Sequence, residues 1–286
     1  MLITVTGSTG TIGASLVPLL AGAGASVRAV LRDVRRARPI PGVVWAQADL
    51  ADGRLLEPAL AGTTRLFLLT GNDEGFGELQ IAVIRAAEAL GIEHVVKLSA
   101  LGASDHSKSA IGREHWAVEQ ALRGTTMQWT ILRPHAFMQN WLGDVAESVR
   151  AEGVIHAPIG DGRVPFIDTR DIAEVAARIL LDPAPHAGRK YTLTGGEAVG
   201  YDDVAAAISE AAGKPVAYRP ISIEEARSRM EARGVPEFLV DAQLAIAAYQ
   251  KAGGPTARVS GDVERILGRP PRTVRDFARD HADAFR

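Results

Sequence analysis

Eight residues near the start of the chain, Thr6-Gly7-Ser8-Thr9-Gly10-Thr11-Ile12-Gly13, limit its fold more than any other stretch. They follow a short apolar, β-branched run at 2–6 and lead into a run of helical period at 12–21. Three glycines spaced G-x-x-G-x-x-G between a strand and a helix each have a physical task. Gly7 permits a tight turn, Gly10 lets the backbone approach a diphosphate, and Gly13 lets the helix pack closely on the sheet. The helix start then offers unpaired N–H groups and partial positive charge, to which the hydroxyls of Ser8, Thr9 and Thr11 can add. A glycine triplet alone is weak evidence. In this strand–turn–helix context it reads as a dinucleotide-binding turn.

The rest of the chain continues that pattern. Val/Ile/Leu-rich runs at 26–31, 43–47, 65–70, 94–99 and 128–132 alternate with helical segments at 78–90 and 109–122, the rhythm of parallel βαβ units. Further helices are expected at 141–150 and 169–181, and one more strand at 190–194. The stretch 153–165 is rich in glycine and proline, and from Tyr201 onward the chain reads as mostly helical. The predicted fold is α/β: a Rossmann doubly wound parallel sheet with a smaller, mostly helical C-terminal substrate lobe. The expected Rossmann core is 1–139 plus 167–194, and the expected lobe is 140–166 plus 195–286.

Composition narrows the chemistry. The 286 residues include no cysteine, which excludes disulfides, thiolate nucleophiles, Cys-ligated zinc and iron–sulfur clusters, so redox chemistry needs a bound cofactor. A net charge of −2 gives no footprint for nucleic acid or an anionic membrane. No apolar run reaches membrane-spanning length, and the N-terminus does not read as a signal peptide, so the expectation is a cytoplasmic protein. His156 and Asp168 lack metal-ligand spacing, and no metal is expected.

The end of the second strand bears on the choice of dinucleotide. It reads Val30-Leu31-Arg32-Asp33, with Arg35, Arg36 and Arg38 following. An acid there holds the ribose 2′-hydroxyl of NAD, whereas an arginine favours the 2′-phosphate of NADP. Arg32 is therefore assigned to the phosphate and NADP(H) is the preferred cofactor. Asp33 keeps NAD(H) as the alternative, and the later arginines read as a solvated loop. Asp49 and Leu50 after the third strand, and Leu69, Thr70 and Gly71 after the fourth, lie at strand carboxyl ends and complete the expected cofactor site.

Beyond these motifs, the chain as a whole resembles the atypical short-chain dehydrogenase/reductases of the NmrA-like group, in their quinone oxidoreductase and triphenylmethane reductase branch. The resemblance rests on TGSTGTIG at 6–13, VLRD at 30–33, LSALGA at 98–103, EHWAVEQALR at 114–123 and WTILRPHAFMQN at 129–140. PFIDTRDIAEVAARIL at 165–180, YTLTGGEAVGYDDVAAAIS at 191–209 and LGRPPRTVRDF at 267–277 extend it over nearly the whole chain.

Short-chain dehydrogenases usually reduce carbonyls with a Tyr-x-x-x-Lys pair. In the corresponding segment Ile111 stands where tyrosine would, and His115 where lysine would. The four tyrosines, Tyr191, Tyr201, Tyr218 and Tyr249, all lack a lysine four residues on. Hydride transfer to an acceptor whose reduced form is already resonance-stabilised survives that loss. The resemblance thus implies an oxidoreductase that reduces a quinone-like or otherwise conjugated small molecule, with a homodimer left open. The second reading is an NADP(H)-binding redox sensor of NmrA type without turnover. The candidate catalytic residues are His115, His135 and Ser99. Ser99 either bonds substrate or cofactor or is satisfied by nearby backbone, and His115 either serves the ribose and a proton relay or is a surface histidine. By resemblance, Pro134 and Phe137 join Ser99 and His115 beside the nicotinamide. Met138, Asn140 and Trp141 either line the acceptor pocket or, for Met138 and Trp141, belong to the core.

Overall fold

In the computed structural model, which describes residues 1–286, six strands arise where the apolar runs place them. They are β1 (Leu2–Val5), β2 (Ser26–Leu31), β3 (Val43–Gln47), β4 (Arg65–Leu68), β5 (His94–Leu98) and β6 (Gln128–Pro134). Three more follow: β7 (Val154–Ala157), β8 (Arg189–Leu193) and β9 (Ala217–Pro220). The helices of the first half are α1 (Gly13–Gly22), α2 (Gly53–Leu60), α3 (Phe76–Ala89) and α4 (Ala110–Arg123). Then come α5 (Asp144–Glu152), α6 (Thr169–Leu181), α7 (Tyr201–Ala212), α8 (Ile223–Ala232) and α9 (Glu237–Ala252). Three short helices close the chain: α10 (Asp262–Leu267), α11 (Val274–Asp280) and α12 (Ala282–Phe285).

The main sheet has the order β3-β2-β1-β4-β5-β6-β8, with parallel pairing from β3 through β6. Every residue of β5 is buried, as expected of a strand covered on both faces, whereas the edge strand β3 is half exposed. The order reverses direction between β1 and β4. That switch point is where ligands bind in open α/β sheets, and the turn after β1 leads straight into it.

Two compact units form by contact: residues 1–107, 111–134 and 170–192, and residues 108–110, 135–169 and 193–286. The first contains the sheet and a core running from Leu60, Leu66 and Leu68 to Val83, Ile84, Val95, Val118 and Ile131. The second is built on Trp141, Val149, Ile155, Phe166, Val204, Ile208 and Phe277. It contains α5 and α7–α12, together with a feature the sequence reading lacks. β7 and β9 pair in parallel as a separate two-stranded sheet, with Val154 opposite Ala217 and Ala157 opposite Pro220. Four-residue strands, one of them mostly exposed, give too short an alternation to stand out in a glycine-rich stretch. The short helix α2, with Pro58 inside it, is likewise absent from the sequence reading. No helix is long and apolar enough to cross a membrane.

Candidate functional site

The turn between β1 and α1 is held by its own glycines. Gly7 adopts φ +62°, a left-handed conformation that costs glycine nothing, and its carbonyl accepts the N–H of Gly10 at 3.0 Å. A β-carbon on Gly13 would stand 2.2 Å from the Gly7 oxygen, so helix and turn approach to a distance only glycine allows. Gly10 differs, since a β-carbon there would meet only the Gly7 oxygen at 3.4 Å. Its outer side is open. No side chain caps the start of α1 and no acid occupies its first turn. Ala14 and Ser15 donate to the Gly10 and Ile12 carbonyls, so the N–H groups open to an anion are those just ahead of them, from Thr11 to Gly13. The cradle fits a dinucleotide diphosphate. Thr9 and Thr11 remain at least partly exposed. Ser8 does not serve as the sequence suggested: its buried hydroxyl donates to the Val30 carbonyl at 2.6 Å, tying the turn to β2. Ile12 is buried in the core, and its carbonyl starts the helix by accepting from Leu16.

Beyond β2 the charges are sorted. Asp33 caps the following turn by accepting the Arg35 N–H at 3.0 Å, and both its oxygens accept from the Arg35 guanidinium at 2.9 Å. Those bonds to Arg35 hold its carboxyl below the usual range. Arg32 is exposed and forms no ion pair, and Arg36 reaches the turn, its Nη2 3.5 Å from the Thr9 oxygen. The acid that would read a ribose 2′-hydroxyl is thus engaged by Arg35, while two guanidiniums stay available for a phosphate. Arg35 and Arg36 are thus more than the solvated loop expected from sequence: one occupies Asp33 and the other flanks the glycine turn.

At the neighbouring strand ends, Asp49 is exposed and accepts the Ala51 N–H at 3.0 Å, and Leu50 is buried. Leu69 presses its carbonyl against Gly7, at 2.8 Å from where a Gly7 β-carbon would lie, and Thr6 holds that carbonyl at 2.8 Å. The Thr70 hydroxyl donates to the Gly71 oxygen and accepts from Gln80 at 2.7 Å.

A buried polar ladder joins β5, α4 and β6. Side chains two apart on a strand share a face, as do side chains four apart on a helix. Lys97 and Ser99 therefore meet His115 and Glu119 in register. Lys97 Nζ donates to the Leu98 carbonyl at 2.5 Å and lies 3.0 Å from His115 Nδ1. The Ser99 hydroxyl donates to Glu119 Oε1 at 2.6 Å, and Arg133 from β6 grips both Glu119 oxygens at 2.7 Å. Lys97 and Glu119 are fully buried, and His115 is 5% exposed with the Phe76 ring 4.8 Å away. His115 is thus no surface histidine, and Ser99 finds a carboxylate in place of backbone. Burial pulls the Lys97 ammonium down to about 7 against the opposing pull of Glu119. Burial, then Lys97 and Arg133, hold His115 well below the ordinary histidine range. Lys97, Glu119 and Arg133 were absent from the candidate residues. The shared face of β5 was the signal that could have found them.

Pro134 closes β6 and accepts the Leu101 N–H at 3.1 Å. In the second unit, His135 spends both ring nitrogens on backbone. Nε2 donates to the Thr256 carbonyl at 2.9 Å, and Nδ1 accepts from Ala136 at 2.6 Å. Burial lowers it to about 4, so it is neutral at pH 7 with its proton already committed. That leaves no proton for a general acid. Phe137 is half-buried and bridges to Ile167, and Asn140 is exposed. Met138 and Trp141 are 1% exposed, with Trp141 edge-on to Phe166 and Phe277 at 4.8 and 5.6 Å. Their packing is that of core residues. His156 bonds Glu152, and Asp168 accepts from Gln139.

Switch-point turn, glycine cradle and exposed arginines define a dinucleotide-binding Rossmann protein, one whose α4 has an imidazole in place of the usual lysine. The chain belongs to the NmrA-like family, whose model matches residues 1–268. It is 38% identical over 286 residues to an NAD(P)H azoreductase of Xenophilus azovorans, covering 99% of each chain. Among solved structures it is similar to the NADPH-dependent quinone oxidoreductase of Escherichia coli complexed with NADPH, at 27% identity and TM-score 0.86, covering 96% of this chain and 98% of that one. It is also similar to the Citrobacter sp. triphenylmethane reductase complexed with NADP(H), at 26% identity and TM-score 0.86, covering 99% and 100%.

Proposed function

We propose that this chain is an NADP(H)-dependent reductase of quinone-like or otherwise conjugated electrophilic small molecules. The observation that carries the reading is similarity over 99% of the chain to an NAD(P)H azoreductase, at 38% identity. The first unit is the dinucleotide-binding part and the second the acceptor-binding lobe. The turn at Gly7, Gly10 and Gly13, with Thr9 and Thr11, holds the diphosphate, and Arg32 with Arg36 holds the 2′-phosphate. Asp49, Leu50, Leu69, Thr70 and Gly71 flank the adenosine side, and Pro134 and Phe137 the nicotinamide side. NAD(H) is the weaker cofactor because Asp33 is engaged by Arg35. When bound, the reduced nicotinamide supplies hydride.

The chain's own contribution is positioning and hydrogen bonding. A quinone's developing oxyanion, like the product of reducing a delocalised cation, is stabilised within the acceptor and needs weaker acid help than an isolated carbonyl. His115 provides a hydrogen-bond donor. Ser99, whose proton goes to Glu119, provides at most an acceptor. Exposed Asn140 is the pocket residue placed to meet a ligand. The sensor reading has less support, because the relatives named above are reductases.

The test is NADPH consumption, followed by absorbance without oxygen, against a quinone, an azo dye and a triarylmethane cation, with NADH in parallel. The expected result is turnover of at least one class, faster with NADPH. Tight NADPH binding with no consumption in any of the three would overturn the reading in favour of the sensor.

A further inference from the structure

The lysine that short-chain dehydrogenases carry on α4 is replaced by His115, and a lysine from β5 lies against that histidine. Lys97 enters from β5, fully buried, with its ammonium between the Leu98 carbonyl and His115 Nδ1. An ammonium has three N–H donors and no acceptor, so the nitrogen facing it must be unprotonated. Glu119, the carboxylate of the ladder, is held by Arg133 and Ser99. Arg133 and Arg123 are the other cations at Glu119, and Arg133 also opposes a second positive charge on the ring, as burial does. The remaining nitrogen, Nε2, has no protein partner. It is not one of the buried atoms lacking one, so it keeps contact with the surface. The cluster lies at the carboxyl end of β5, the edge where ligands bind in such sheets.

We propose that Lys97 is a positioning residue that holds His115 as a neutral imidazole with its proton on Nε2, making that N–H a fixed donor to an oxygen of the bound cofactor or acceptor. The ligand in this statement rests on the reductase reading. The tautomer rests on the ladder alone. A neutral imidazole fixed as a donor polarises an oxygen without surrendering its proton, a task suited to an acceptor that stabilises its own charge.

The test begins with long-range proton–nitrogen correlation spectra of 15N-histidine protein at pH 6 without ligand, where Lys97 is the ammonium, and His115→Phe assigns the signals. The expected spectrum has a bare Nδ1 and a protonated Nε2, unchanged down to pH 5, and Lys97→Met converts it to a mixture of tautomers. In turnover, Lys97→Met lowers kcat/KM at least about tenfold and has no further effect in a His115→Phe background. A raised NADPH Kd in Lys97→Met identifies a cofactor oxygen as the ligand. A lowered kcat with unchanged Kd identifies the acceptor. A wild-type spectrum with the proton on Nδ1, or with both nitrogens protonated at pH 6, overturns the proposal, as do additive effects of the two substitutions. If no acceptor is turned over, the reductase reading falls, while the spectra still decide the tautomer.

Discussion

Arg32 and Asp33 are adjacent and oppositely charged, and what separates their roles is a third residue. Arg35 takes both oxygens of Asp33, while Arg32 stays exposed and outside any ion pair, the state on which its proposed 2′-phosphate role rests. Arg32→Ala should therefore weaken NADPH binding roughly ten- to hundredfold, the worth of charge-assisted bonds, and NADH binding little. Titration of both dinucleotides measures it, and equal losses would remove Arg32 from the 2′-phosphate. Lys97 makes a second residue-scale prediction. Its folded value, about 7, is below the ordinary 10.5, so between those values the unfolded chain binds a proton that the folded chain does not. Stability rises with pH across that window, and the full cost of burying the ammonium is present below pH 7. Replacing Lys97 with methionine removes that cost but also removes two hydrogen bonds, a loss nearly independent of pH. The melting temperature of Lys97→Met relative to wild type should therefore be higher at pH 6 than at pH 9.5, and a flat difference would refute the account. In sequence, the place of Arg32 after a strand is legible, which is why it is assigned the phosphate. Asp33 was not, since its fate depends on a pairing two residues away.

At the scale of elements, the three glycines of the turn separate into structural and binding roles. Gly13→Ala drives a methyl against the Gly7 carbonyl, backbone that cannot move aside, and should cost about 3 kcal/mol of stability in urea unfolding. Gly10→Ala should leave stability within about 0.5 kcal/mol and still lower NADPH affinity at least about tenfold, because the methyl occupies the open approach to the diphosphate. The β5–α4–β6 ladder allows a similar separation. Arg133→Met leaves the fully buried Glu119 without its bidentate partner and should cost about 3–5 kcal/mol. Adding Glu119→Met should recover most of that in the same unfolding measurement, since an apolar pair of similar volume often replaces a buried ion pair at little cost. The family-specific segments at 114–123 and 129–140 were legible as motifs, but the reason they occur together was not. Glu119 and Arg133 need each other across 14 residues of sequence, a dependence that periodicity does not express.

For the molecule as a whole, the strand–turn–helix rhythm of the first half carried the sheet and its switch point, because buried parallel strands read as continuous apolar runs. The second unit was less legible. Its core gathers Trp141, Phe166, Tyr201 and Phe277 from segments far apart in sequence, and its β7–β9 pair is too short to announce itself. The missing tyrosine was plain from the sequence, but the buried lysine behind His115 needed the fold. The proposed reaction is hydride transfer from bound NADPH to a conjugated acceptor. Its most direct measurement is a single-turnover rate with NADPH deuterated at both C4 positions, using the acceptor consumed fastest. Oxidation should be slower than with unlabelled NADPH, and absent without acceptor. Equal rates for the two cofactors would contradict hydride transfer as the observed step.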